Sequence, residues 1–107
     1  MHVKTIDKAD KELKKLPLKI QKKFLNYFQD YSEGLPLSEK IYKKLKGSDF
    51  FEFRVKGESG IYRAIAAKVS PDLIVVLFFH KKSQKTPVKE IKTATSRISI
   101  FIKFLRQ

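Results

Sequence analysis

The apolar positions follow two different periods along the chain. Up to about residue 34 they recur every three or four residues, from residue 50 to residue 79 they alternate or run together, and after residue 87 the helical spacing returns. Ala9, Leu13 and Leu16 make the first stripe, through KADKELKKL, and Asp7 is placed to be its N-cap. Pro17 interrupts that stripe and suits the first turn of a second helix. In that helix Ile20, Phe24, Tyr27, Phe28 and Tyr31 share one face, and Gly34 ends it. Lys8, Lys11, Lys14, Lys15, Lys19, Lys22 and Lys23 lie on the opposite faces. The two segments predict a helical hairpin with its apolar stripes turned inward.

Residues 32–48 are polar, contain Pro36 and Gly47, and read as a loop whose end, IYKKLKG, is a short strand with Ile41 and Leu45 inward. FFEFRV (50–55) alternates, with Phe51, Phe53 and Val55 on one face and Glu52 and Arg54 on the other. KGESG (56–60) is a hairpin loop with a glycine near each end. A strand over 61–69 follows, then a turn at Ser70-Pro71-Asp72. LIVVLFF (73–79) is apolar on both faces, which predicts the central, doubly covered strand. After a basic loop, HKKSQKT (80–86), Pro87 stands where a helix starts. That helix, over about 88–105, carries Ile91, Ala94, Ile98, Phe101 and Leu105 as a core seam, with Ile100, Ile102 and Phe104 off it. The expected fold is α+β: a small antiparallel sheet of three or four strands packed against an N-terminal helical hairpin and a C-terminal helix.

Composition narrows the function. The 107 residues, 42% of them hydrophobic, suit a single domain over 1–107 with one modest core. Charge is the outlier. Lys and Arg total 24 against 11 Asp and Glu, a net +13, and only Arg54, Arg63, Arg97 and Arg106 are arginines. Such a balance points to a polyanionic partner, with nucleic acid first, although a lysine-rich surface can also exist without one. The absence of cysteine excludes a disulfide scaffold, a Cys-ligated zinc site and a thiol nucleophile. With His2 and His80 as the only histidines, neither a metal site nor a cofactor is expected. No apolar run reaches the roughly 18 residues of a membrane span, and the N-terminus lacks the apolar core of a signal peptide. The expectation is a cytoplasmic protein with no membrane partner.

Familiar catalytic arrangements are missing: no Gly-rich phosphate loop, no GxSxG, no HExxH. Chemistry must rest on Lys, Arg, Tyr and His80. HKKSQKTP leaves the end of a buried strand, where rigid backbone holds binding groups in place. Its lysines Lys81, Lys82 and Lys85 repel one another, and a bound phosphate would relieve that repulsion; a solvated basic turn is the alternative. Arg54 and Arg63 lie in strand interiors of one hairpin, suited to gripping one phosphodiester, or else to an ion pair with Glu52. Tyr62 points away from Arg63 if the strand is regular and so belongs to the core.

These residues together resemble the RelE/ParE superfamily of toxins from type II toxin–antitoxin systems, and within it the HigB-type, phage-derived branch. The likeness runs through Leu16-Pro17, KKLKG (43–47), FEFRV with Glu52-x-Arg54, Tyr62-Arg63, the apolar strand, KKSQKTP (81–87), and a helix carrying Ala94 and Arg97. It implies a ribosome-dependent mRNA endoribonuclease in which the 2′-hydroxyl attacks the adjacent phosphate without a metal. Arg54, Arg63, Lys82, Lys85 and His80 would be the catalytic set, and Lys81, Lys43, Lys44, Lys46 and Lys56 the RNA contacts. The implied partners are a cognate antitoxin of helix-turn-helix, HigA type, together with the ribosome, its mRNA and its small-subunit rRNA. A ParE-like gyrase poison and a non-catalytic nucleic-acid-binding module are the competing readings. The chain ends KFLRQ, without the C-terminal His or Tyr of some RelE-like relatives.

Overall fold

The computed structural model describes residues 2–81 and 87–107. In chain order the elements are β1 (Val3–Thr5), α1 (Asp7–Lys14), α2 (Leu18–Ser32), β2 (Tyr42–Lys44), β3 (Phe50–Gly57), β4 (Gly60–Val69), β5 (Asp72–Lys81) and α3 (Val88–Leu105). The strands form one sheet in the order β1-β5-β4-β3-β2, with β1 parallel to β5 and every other pair antiparallel. Both edge strands are three residues long, shorter than the strands they flank.

The sheet has five strands rather than three or four, because Val3–Thr5 pairs with Leu73–Val75. Three residues are too few to display a period, and the bonds that hold them come from a strand far along the chain. β1 covers the outer edge of β5, which would otherwise be an edge strand. The central strand is β4, although β5 is buried on both faces as expected. Ile6, not Asp7, holds the N-cap position of α1; Asp7 and Asp10 instead lie in its first turn, where the helix dipole favours acids. Pro17 likewise precedes α2 with an extended ψ of 143° rather than sitting within its first turn.

Helices α1 and α2 share one face of the sheet, α1 against β5 and α2 against β3 and β1. Their stripes are turned to the sheet: Ala9, Leu13, Ile20, Phe24 and Phe28 join Phe53, Val55, Tyr62, Ala64, Leu73, Val75 and Phe78 in one core. The aromatic rings pack edge to face, with Phe24–Phe78 centroids 5.1 Å apart and Phe28–Phe53 4.9 Å apart. Helix α3 covers the other face, where Ala94, Ile91, Ile98 and Phe101 meet Leu45, Phe50, Ile65, Ile74, Val76 and Leu77. Leu105, expected on that seam, is 54% exposed, one turn past the last residue of the seam that reaches the sheet core. Ile102, expected off it, is half-buried against a groove that Phe50 and Val69 also line.

Strand β5 carries a bulge. Ile65 pairs with Leu77 but its neighbour Ala66 pairs with Val75, so Val76 is an extra residue. Val76 and Leu77 consequently both face α3, and the alternation of β5 changes sense beyond them. The outer edge of β5 beyond β1 is finished by side chains. Ile6 N–H donates to Val75 O, and the next groups outward are met by Arg97, whose Nη1 donates to Val76 O, and by Glu12, whose Oε1 accepts from Phe78 N–H.

Candidate functional site

The β3–β4 hairpin closes at the Gly57–Gly60 pair through Glu58 and Ser59, beside the end of β5. Register then fixes which side chains share a face at this end of the sheet. On the α3 face, Lys56, Ile61 and Lys81 form one row across three strands, and Arg54, Arg63 and Phe79 form the next. Glu52 follows, between Lys43 on β2 and Ile65 on β4.

Glu52 is fully buried and takes both guanidinium groups. Arg63 Nη1 donates to its Oε1 and Oε2 at 3.2 and 3.0 Å, and Arg54 Nε lies 3.0 Å from Oε1. A carboxylate removed from water requires such partners. The arginines differ in access: the Arg63 side chain is 1% exposed and that of Arg54 17%. One acid against two arginines leaves the cluster a net positive charge, and Lys43, Lys56 and the half-buried Lys81 add to it on the same face. The result is a cationic strand end anchored from beneath by Glu52. It can bind a phosphate and stabilise charge developing on its oxygens.

The opposite face of the same strand end is aromatic. His80 pairs with Tyr62 in the register, and their rings stack with centroids 4.1 Å apart and 10° between planes. Tyr62 is buried, while His80 is exposed. Ser59 O lies 3.0 Å from His80 Nε2; a carbonyl only accepts, so this nitrogen carries the proton.

The sequence-predicted site therefore divides. Arg54, Arg63, Lys56 and Lys81 come together, and Lys43 stands beside them; His80 is on the other side of the sheet. Lys44 pairs with Phe51, on the face away from Lys43, and Lys46 follows β2; both are exposed. Lys82 and Lys85 lie outside the described residues. Two features were not legible beforehand: that one carboxylate would hold both arginines, and that Tyr62 would back an exposed imidazole. The signal for the second was the glycine pair. A Cβ on Gly57 would fall 2.6 Å from Tyr62 Cε2, and one on Gly60 would fall 2.8 Å from His80 Nε2.

Among the described residues no group of three or more His, Cys, Asp or Glu is placed to hold a metal ion, and no helix is long and apolar enough to cross a membrane.

The α+β fold is RelE-like. A free-state double mutant of E. coli RelE superposes with a TM-score of 0.62 at 18% identity, covering 91% of this chain and 96% of that one. RelE in the intact E. coli RelBE toxin–antitoxin complex gives a TM-score of 0.57 at 18% identity, covering 77% and 98%. The RelB–RelE antitoxin–toxin complex from Methanococcus jannaschii gives 0.56 at 22%, covering 71% and 87%. At these identities the likeness establishes the fold. The profile of the phage-derived Gp49-like proteins (DUF891) matches residues 11–99, and the chain belongs to that family. No curated protein sequence matches it.

Proposed function

We propose that this protein is the toxin of a type II toxin–antitoxin pair, acting in the cytoplasm as a ribosome-dependent mRNA endoribonuclease. The observation that carries the proposal is the cationic end of the α3 face, where Arg54 is held at the surface by a carboxylate that Arg63 neutralises from within. Further support comes from the RelE fold and from neighbours described as toxins in complex with antitoxins.

Cleavage needs no metal. The 2′-oxygen bonds to the adjacent phosphorus, the bond from phosphorus to the 5′-oxygen breaks, the 2′-proton leaves to a base, and an acid protonates the departing 5′-oxygen. The products are a 2′,3′-cyclic phosphate and a 5′-hydroxyl. Arg54, Lys56 and Lys81 stabilise the negative charge on the phosphorane oxygens. Arg63 acts through Glu52 as a positioning residue. Lys82, next to Lys81 in the sequence, and Lys85, three residues further on, are assigned the proton transfers on the resemblance alone. The ribosome supplies the alignment of attacking and leaving oxygens, and holding that geometry is worth several kcal/mol. Lys43 extends the positive surface on the α3 face, and the exposed Lys44 and Lys46 beside it are further contacts for rRNA.

The partner that restrains the toxin is an antitoxin of helix-turn-helix, HigA type. A groove of about 440 Å³ bounded by Ile6, Arg97, Ile100, Phe101 and Phe104 is an apolar surface that such a partner would cover.

The test is induction in a bacterial host of wild type and of Arg54→Ala/Lys82→Ala, with mRNA ends mapped by primer extension. Arg54 is preferred to the buried Arg63 because its loss disturbs folding less. Growth arrest with new 5′ ends inside translated frames, both lost in the variant, is expected. Arrest with intact mRNA and damaged or supercoiling-deficient DNA would overturn the proposal in favour of a gyrase poison, and RNA binding without arrest or cleavage would leave a binding module.

A further inference from the structure

We propose that His80, backed by Tyr62, is a stacking platform for one unpaired nucleobase of the RNA; the inference rests on the chain being an RNA-cleaving protein. The near-parallel stack covers one face of the imidazole, and because His80 is exposed while Tyr62 is buried, the face turned away from Tyr62 is the one open to solvent. The ring is held from two sides, by the phenol beneath it and by the hydrogen bond from Nε2 to Ser59 O. A ring fixed beforehand loses little freedom when a ligand stacks on it.

The hairpin is built around this stack. Gly60 has φ +137° and no room for a Cβ against His80 Nε2 or the Lys81 carbonyl, and Gly57 has none against the Tyr62 ring.

Position supplies the ligand class. His80 and Lys81 are consecutive, so the pleat points the imidazole to one face and the ammonium to the other, in the row with Lys56. An aromatic face one residue from cations that grip phosphate is the arrangement by which single-stranded nucleic acid is held, base on ring and backbone on charge. A strand wrapping around this end of the sheet would lay one base on His80 and its backbone, further along, against Lys81 and Lys56 on the opposite face. Every base offers a π-face, so the platform is tolerant of sequence.

The test uses the full chain and a short single-stranded RNA carrying fluorescent 2-aminopurine, with a 2′-deoxy sugar at that position to block cleavage. Wild type should quench the fluorophore on binding. His80→Ala should bind about 5- to 150-fold more weakly and lose the quenching. His80→Phe, which keeps a ring but no nitrogen, should retain both. Undiminished quenching by His80→Ala would overturn the platform, and so would loss of quenching in His80→Phe, which would indicate a contact to the imidazole nitrogens instead. Primer extension on the same variants separates the two proposals. Quenching with no cleavage by wild type sinks the nuclease and leaves the platform; cleavage with no quenching does the reverse.

Discussion

Arg97 on α3 grips Glu12 on α1 through two hydrogen bonds, Nη1 to Oε1 at 2.9 Å and Nη2 to Oε2 at 3.0 Å. The helices belong to opposite faces of the sheet, so the pair closes around the outer edge of β5. It also takes up Val76 O and Phe78 N–H, two backbone groups that β1 is too short to reach. Arg97→Ala should cost about 1–3 kcal/mol, the range for partners left unsatisfied away from water. Arg97→Lys should recover little, since an ammonium cannot reproduce the fork. Thermal melts of Glu12→Ala, Arg97→Ala and the double variant test this; additive losses would show that the pair does not act as a unit.

Glu52 and Arg63 make a second, more deeply buried pair. Removing one partner leaves the other charged in the interior, so Glu52→Gln should destabilise by about 3–5 kcal/mol. Glu52→Leu/Arg63→Met should cost clearly less than the two single losses combined. Urea midpoints at constant slope measure both, and a Glu52→Gln loss near zero would mean that the carboxylate is not the anchor described.

At the start of β5, Lys4 binds Asp72 at 3.0 Å and its hydrogen bond is the main cause that holds the Asp72 carboxyl below its ordinary value of 3.8. A lowered value means that the unfolded chain takes up the proton first. The contribution is therefore complete above that ordinary value and is lost as the pH falls through the lower native one. Amide exchange at Leu73 and Ile6, whose N–H groups donate to His2 O and Val75 O, should accelerate over that acid range. Lys4→Met should flatten the dependence.

Gly60→Ala should destabilise by more than about 1 kcal/mol, because it places a side chain at φ +137° and against His80. The NMR signals of the His80 ring should shift with it. Unchanged signals would show that the imidazole is not seated on the turn.

The helices were legible because each carries several turns of a period that only one face can satisfy; Ile20, Phe24 and Phe28 are all buried. β3 was legible from its alternation, and an ion pair of Glu52 with Arg54 or Arg63 was one of two readings the strand pattern left open. β1 was not, since VKT has no period and depends on Leu73–Val75 for its bonds. That His80 lies on the opposite face from the arginines was not legible for a different reason. LIVVLFF is apolar at every position, so nothing in it marks the extra residue at Val76.

That extra residue sorts the chemistry of the whole strand end. In an uninterrupted β5 of the same length, His80 would turn towards Arg54 and Arg63, and Lys81 would turn towards Tyr62. The bulge at Val76 shifts the alternation of everything after it, which sends the imidazole to one side and the ammonium to the other. Deleting Val76 would leave both destinations unchanged, because Leu77 would still pair with Ile65 and Val75 with Ala66, now in an unbroken register. The bulge thus absorbs one residue of strand length while the two faces of the strand end stay fixed.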